Sequence, residues 1–111
     1  MEGIPQEEIN YFKSLERRFW NKYNSMSEKE RDNFDLWALE STGEWLKLGG
    51  FTRKGEENKR NFVDFMMMYS LVEMKPDDDT SDPSYVSRVI KLATDYAEYK
   101  KAKKTKTIHR F

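Results

Sequence analysis

Cysteine is absent from this 111-residue chain, which removes disulfides, thiolate metal sites and cysteine nucleophiles together. Histidine is reduced to His109, two residues from the end of the sequence. A metal site would therefore need an all-oxygen ligand set, and imidazole acid–base chemistry would rest on a terminal side chain. Long hydrophobic runs are missing too: the longest, Phe65 to Tyr69, is far short of the ~20 residues that cross a bilayer. The first residues, MEGIPQEEI, carry acids where a secretory signal has a basic stretch and an apolar one. These absences lead us to expect a protein of the cytoplasm with no cofactor, no metal and no membrane partner. Glycine-rich phosphate loops, calcium loops and spaced catalytic pairs are not found either, and no small-molecule substrate is suggested.

What the chain does have is charge and aromatic rings. Charged residues make up 36% and aromatics 14% of it, at a mean hydropathy of −0.97. Rings bury large areas per residue, so this composition suits one compact domain rather than disorder. The formal net charge of zero hides an asymmetry. Residues 1–99 hold 14 Lys/Arg against 20 Asp/Glu, and residues 100–111 hold six Lys/Arg with no acid. An acidic body carries a basic tail.

Apolar periodicity indicates four helices. Ile9, Phe12, Leu15, Phe19, Trp20 and Tyr23 recur at steps of three and four between Gln6 and about Asn24, with Pro5 suited to the first turn. Ser27-Glu28-Lys29-Glu30 has the form of a capping box and opens a second helix striped with Phe34, Trp37, Ala38, Trp45 and Leu48. Gly43 interrupts it, which predicts a kink or break near Thr42-Gly43, and Gly49-Gly50 marks its end. The third helix is expected from Glu56 to Met74, polar at its start and apolar nearly all round in NFVDFMMMYSLVEM, residues 61–74. Asp82-Pro83 reads as N-cap and first residue of the fourth helix, whose stripe is Val86, Val89, Ile90, Ala93, Tyr96 and Ala97, ending near Lys100. The expected fold is all-α, a single-domain four-helix arrangement, orthogonal or bundle-like, with helix three central. Residues 1–100 form the helical domain and residues 101–111 a basic, flexible tail.

Three features carry functional expectations. The methionine run is first of all core; if Phe62, Phe65, Met66 and Tyr69 fill the interior, Met67, Leu71 and Met74 are left for a partner, for which a second copy of the chain is the simplest choice. Trp20 and Trp45 are expected in the core and Trp37, beside Phe34 and Ala38, suits either core or contact, so Trp37, Met67, Leu71 and Met74 are the candidate partner-binding residues. The tail lysines Lys100, Lys101, Lys103, Lys104 and Lys106, with Arg110, could neutralise phosphates. Arg53, Lys54, Lys59 and Arg60 at the start of helix three add to that charge, although Glu56 and Glu57 oppose it. The acidic loop at Asp77, Asp78, Asp79 and Asp82 lacks the ligand spacing of a calcium loop and is expected to be solvated. The leading expectation is a small non-enzymatic intracellular regulator or adaptor that binds protein, of the accessory kind found in bacteria and phages. The second is a nucleic-acid-binding accessory protein that uses the tail.

Overall fold

A computed structural model describes residues 3–48, 56–75 and 81–108, and four helices account for nearly all of them. Helix α1 spans Gln6–Ser25, α2 Glu28–Leu48, α3 Glu56–Val72 and α4 Pro83–Ile108. No strand occurs among the described residues.

The ends of the helices follow from local chemistry. Pro5 is the N-cap of α1 in an extended conformation, and its carbonyl accepts from the Glu8 and Ile9 amides at 3.0 and 3.2 Å. Glu7 and Glu8 lie in the first turn, beside the positive end of the helix dipole. At α2 the capping box closes in both directions: the Ser27 amide donates to Glu30 Oε1 at 2.8 Å, and the Glu30 amide donates to Ser27 Oγ at 3.1 Å. These bonds favour the ionised carboxylate and hold the Glu30 pKa below its usual value. At α4 the Asp82 carboxylate accepts from the Ser84 amide at 3.1 Å, and the Asp82 carbonyl from the Val86 amide at 3.0 Å. Pro83 fits the first position because its missing N–H is not needed there.

Helix α3 is central. It packs against α4, α1 and α2 in turn, with backbones closer than in the other helix pairs. Its Phe62, Phe65, Met66 and Met68 are buried with Phe12, Leu15 and Phe19 of α1, Ala38 and Trp45 of α2, and Val89, Ala93, Tyr96 and Tyr99 of α4. The Phe12 ring meets those of Phe65 and Tyr96 edge-on, with centroids 6.1 and 5.4 Å apart. Such pairs each add about 0.5–1.5 kcal/mol beyond their buried area. At the rim, Arg18 of α1 forms an ion pair with Glu73 just past α3, and Lys22 Nζ donates to the Leu71 carbonyl at 2.8 Å. Lys91 of α4 stands between Asp95, at 2.9 Å, and Glu8 of α1, at 3.7 Å.

Three expectations need correction. Helix α2 runs unbroken through Thr42-Gly43. A glycine lowers helix stability without ending the helix, and the hydrogen-bonded turns on either side carry it through. Helix α4 continues to Ile108 instead of ending near Lys100. Lysine and alanine are good helix formers, and lysines at a helix C-terminus meet the negative end of its dipole. Finally, Trp20 is not a core residue: 54% of it is exposed. Phe12, Leu15 and Phe19 take the middle of the buried face, and Trp20, the next residue after Phe19, is turned about 100° away.

Gly49-Gly50, Arg53 and Lys54, the acids Asp77, Asp78 and Asp79, and the terminal His109 and Arg110 lie outside the described residues.

Candidate functional site

Few large apolar side chains are left exposed, and most of them belong to one helix. Among the described residues they are Trp20 of α1 and Leu36, Trp37, Leu39 and Leu48 of α2. The fold needs only a narrow stripe of α2: Ala38 and Trp45 are buried and Phe34 is packed against them. Leu36 and Leu39 lie off that stripe, and Leu39 is 72% exposed. Gly43, one turn beyond Leu39, is also exposed, and a Cβ added there would touch nothing within 4 Å. It therefore has no packing role among the described residues.

Next to this face lies the larger of two adjoining clefts, about 270 Å³ in volume. It opens between the helices, with Glu16, Phe19, Trp20 and Tyr23 from α1, Asp35 from α2, Asp64, Met67 and Met68 from α3, and Tyr96 and Lys100 from α4. A shallower cleft shares Asp64 with it and continues past Val63, Thr42 and Leu46 to Lys59 and Arg60. Together they form one groove along α2 and α3, acidic at one end and basic at the other. Its aromatic wall is ordered by ring contacts. Trp20 and Tyr23 stand nearly perpendicular, 86° at 5.9 Å, and Phe19 meets Trp20 edge-on at 5.0 Å.

The polar groups of the larger cleft differ in how they are satisfied. Glu16 accepts from the Tyr96 hydroxyl at 2.7 Å and lies 3.5 Å from Lys100 Nζ, which also sits 5.9 Å above the Tyr96 ring. Burial, reinforced by the bond to Glu16, pushes the Tyr96 phenol well above its usual pKa. The Tyr23 hydroxyl donates to both oxygens of Asp35, at 3.0 and 2.8 Å, and that bond raises its pKa as well. Asp64 forms no ion pair among the described residues. Much of it faces solvent, yet its carboxyl lies against the cleft wall, and that desolvation raises its pKa while Lys100 and Arg60 pull it back down.

The structure disperses the residues singled out from sequence. Trp37 is exposed on α2, between Phe34, whose ring is tilted to it at 5.9 Å, and Trp45, which it meets edge-on at 5.6 Å. Met67 is half-buried in the groove, Leu71 is half-buried on the core cluster, and Met74 lines a separate apolar cleft with Trp45, Leu48, Tyr85 and Val89. They form no single patch. Lys59 and Arg60 lie together at the basic end of the groove. Lys100 is held by Glu16 in the body of the fold, whereas Lys101 is exposed, and the backbone of Lys103, Lys104 and Lys106 belongs to α4. The acids of the groove, Glu16, Asp35 and Asp64, were not recognisable from sequence because they come from three helices. The leucines were: Leu36 and Leu39 fall outside the stripe of their own helix.

No group of three or more potential metal ligands occurs among the described residues, and no helix of them is long and apolar enough to cross a membrane. No family model matches the chain, and neither a curated protein nor a solved structure does.

Proposed function

We propose that this protein is a small non-enzymatic regulator or adaptor that acts by binding a protein partner along the outer face of α2 and the groove beside it. The observation that carries this reading is the exposure of Leu36 and Leu39 on the side of α2 turned away from the buried Ala38 and Trp45, with Trp20 of α1 exposed as well. Large apolar side chains gathered on one exposed face mark interaction sites on soluble proteins, and tryptophan is among the residues most enriched at binding hot spots. The test is capture of partners from the source cell by wild-type protein and by Leu39→Glu, each with and without nuclease. Leu39 is too exposed for its replacement to disturb the core. Capture that survives nuclease and is lost in Leu39→Glu supports the reading, and capture that nuclease abolishes refutes it.

The alternative is a nucleic-acid-binding accessory protein. The continuation of α4 to Ile108 favours it in one respect, since Lys101, Lys103, Lys104 and Lys106 are then carried on a helix with no acid among them. Clustered lysines contact phosphates without reading bases, so binding of this kind weakens steeply with salt, by about 0.9 in log–log slope per duplex phosphate neutralised. Salt-independent binding would exclude it.

A further inference from the structure

We infer that the outer face of α2 is covered by a second copy of this chain, the two α2 helices lying antiparallel about a two-fold axis near Leu39. The inference rests on the protein-binding reading above and names the occupant of its α2 face. Asp32, Leu36, Leu39, Gly43 and Lys47 follow one another at steps of four, three, four and four, so they share one side of the helix. All five are exposed. Their side is the one turned away from the buried Ala38 and Trp45, and a second helix can reach it without displacing any part of the fold described above.

This stripe is complementary to itself in shape and in charge. A Cβ added at Gly43 would meet nothing within 4 Å, which leaves a gap in the row, while Leu36 stands out with 56% of it exposed. When a second α2 is laid antiparallel so that its Leu36 enters the gap at Gly43, the two Leu39 side chains meet beside the axis, and Asp32 of each copy comes opposite Lys47 of the other. One register therefore fills the gap, covers the leucines and pairs the charges, each twice, because a two-fold interface repeats its contacts. Lys29 then falls past the end of the opposing helix, and the exposed Glu40, on the flank away from Leu39, keeps its carboxylate in water. Lys47 has only a loose contact to exchange: it lies 3.6 Å from Glu44, both side chains are largely exposed, and such pairs are worth little. A parallel setting opposes Asp32 to Asp32, Lys47 to Lys47 and the gap to the gap. A different protein could cover the leucines, but this face carries the knob, the hole and both charges that its own copy requires. The contact is small. A helix of 21 residues presents a strip about 30 Å long and roughly 10 Å wide, on the order of 300 Å², against the roughly 800 Å² that each side of a standard interface buries, so the dimer is weak and forms and dissolves with concentration.

The test is sedimentation equilibrium of the purified full chain from about 10 μM to about 1 mM, where a dissociation constant on the order of 100 μM is expected for an interface below standard size. Leu39→Glu sets two carboxylates together at the axis and is expected to weaken the dimer at least about tenfold. Asp32→Lys and Lys47→Asp each replace two attractive pairs by two repulsive ones and are expected to weaken it several-fold, on the order of threefold to tenfold. An equimolar mixture of these two variants regains both pairs in the mixed dimer and is expected to associate as wild type does, a rescue that damage to the fold could not produce. A mixture no tighter than either variant alone overturns the antiparallel register, and a dimer indifferent to Leu39→Glu overturns its placement on α2. A chain that stays monomeric up to 1 mM overturns the second copy; if Leu39→Glu nevertheless abolishes capture from the source cell, the face belongs to a different protein and the protein-binding reading stands.

Discussion

Replacing Phe65 by alanine tests the central position of α3 directly. The side chain has no exposed surface, and its ring touches rings of three helices: Phe12 of α1 at 6.1 Å, Tyr96 of α4 at 5.6 Å and Tyr69 of α3 itself at 5.8 Å. Buried Phe→Ala substitutions cost about 3–5 kcal/mol, more where the cavity cannot collapse. Here the walls belong to a helix held on three sides, so the upper half of that range is expected. A domain of this size has about 5–15 kcal/mol of stability in all, so the loss is a large share of the whole. At roughly 4 °C per kcal/mol, Tm falls by about 16–20 °C. Urea unfolding followed by far-UV circular dichroism gives the free energy, and an unchanged slope with urea shows that the same surface is exposed. Leu39→Ala is the control: 72% of Leu39 is exposed, and surface changes of this kind stay within about 0.5 kcal/mol. A loss below about 1 kcal/mol for Phe65→Ala would refute the central placement of α3 and the core built around it.

Ser27→Ala removes one arm of the capping box and is expected to cost about 1 kcal/mol, with faster amide exchange confined to the first turn of α2. The Glu30 carboxylate is favoured in the folded state, so its contribution is present above the ordinary carboxylate pKa and is lost as pH falls through the lower folded value; in Ser27→Ala the acid limb of the stability profile becomes shallower. At the alkaline end, burial of Tyr11, with Glu73 nearby, pushes its phenol up to about 12 from its ordinary value of 10.0. The folded state then holds this proton more tightly than the unfolded one, so stability is complete below pH ~10 and declines as pH rises toward ~12. Spectrophotometric titration at the phenolate band should show Tyr11→Phe removing a high-pH step, and a protein whose tyrosines all titrate at their ordinary value would contradict the packing. Tyr96→Phe deletes the hydroxyl that donates to Glu16 and is expected to cost about 1.5–3 kcal/mol, the range for a hydrogen bond to a charged group, measured by the same urea method.

The helices were legible because their signals are local. The capping box at Ser27 and Glu30, the Asp82-Pro83 start of α4 and the three-and-four spacing of the stripes each involve residues within two turns of one another; the caps reappear as hydrogen bonds and most of the stripes as buried faces, with Trp20, Trp37 and Leu48 left exposed. Burial was less legible. Trp20 and Phe19 are neighbours in sequence and equally apolar, and what separates them is which way the α1 axis turns each toward α3, a property of packing rather than pattern. Gly43 misled in the opposite sense. Its low propensity argues for a break, but the turns on either side supply enough hydrogen bonds to carry the helix through it. The groove was least legible, because Glu16, Tyr23, Asp35, Asp64 and Tyr96 are scattered over 81 sequence positions and meet only once α3 has taken its place.

Four positions, three of them on α2, do little for the fold among the described residues. Leu36 and Leu39 face solvent, Gly43 weakens a helix without filling a turn or a tight contact, and Trp20 stands exposed across the groove. Sequence and structure normally agree at every level, and local departures from that agreement gather where function sets the requirement. If only folding constrained these positions, Gly43→Ala would raise stability by about 0.5–1 kcal/mol, since an added methyl meets open space on a helical backbone, and Leu39→Gln would be close to neutral. The double variant is therefore expected to be more stable than wild type in urea and yet to lose capture of the protein partner, because it places a methyl and an amide where another surface must approach closely. A double variant that gains stability and still binds would show that the outer face of α2 is incidental, and would shift the search for function to the helical lysines of α4.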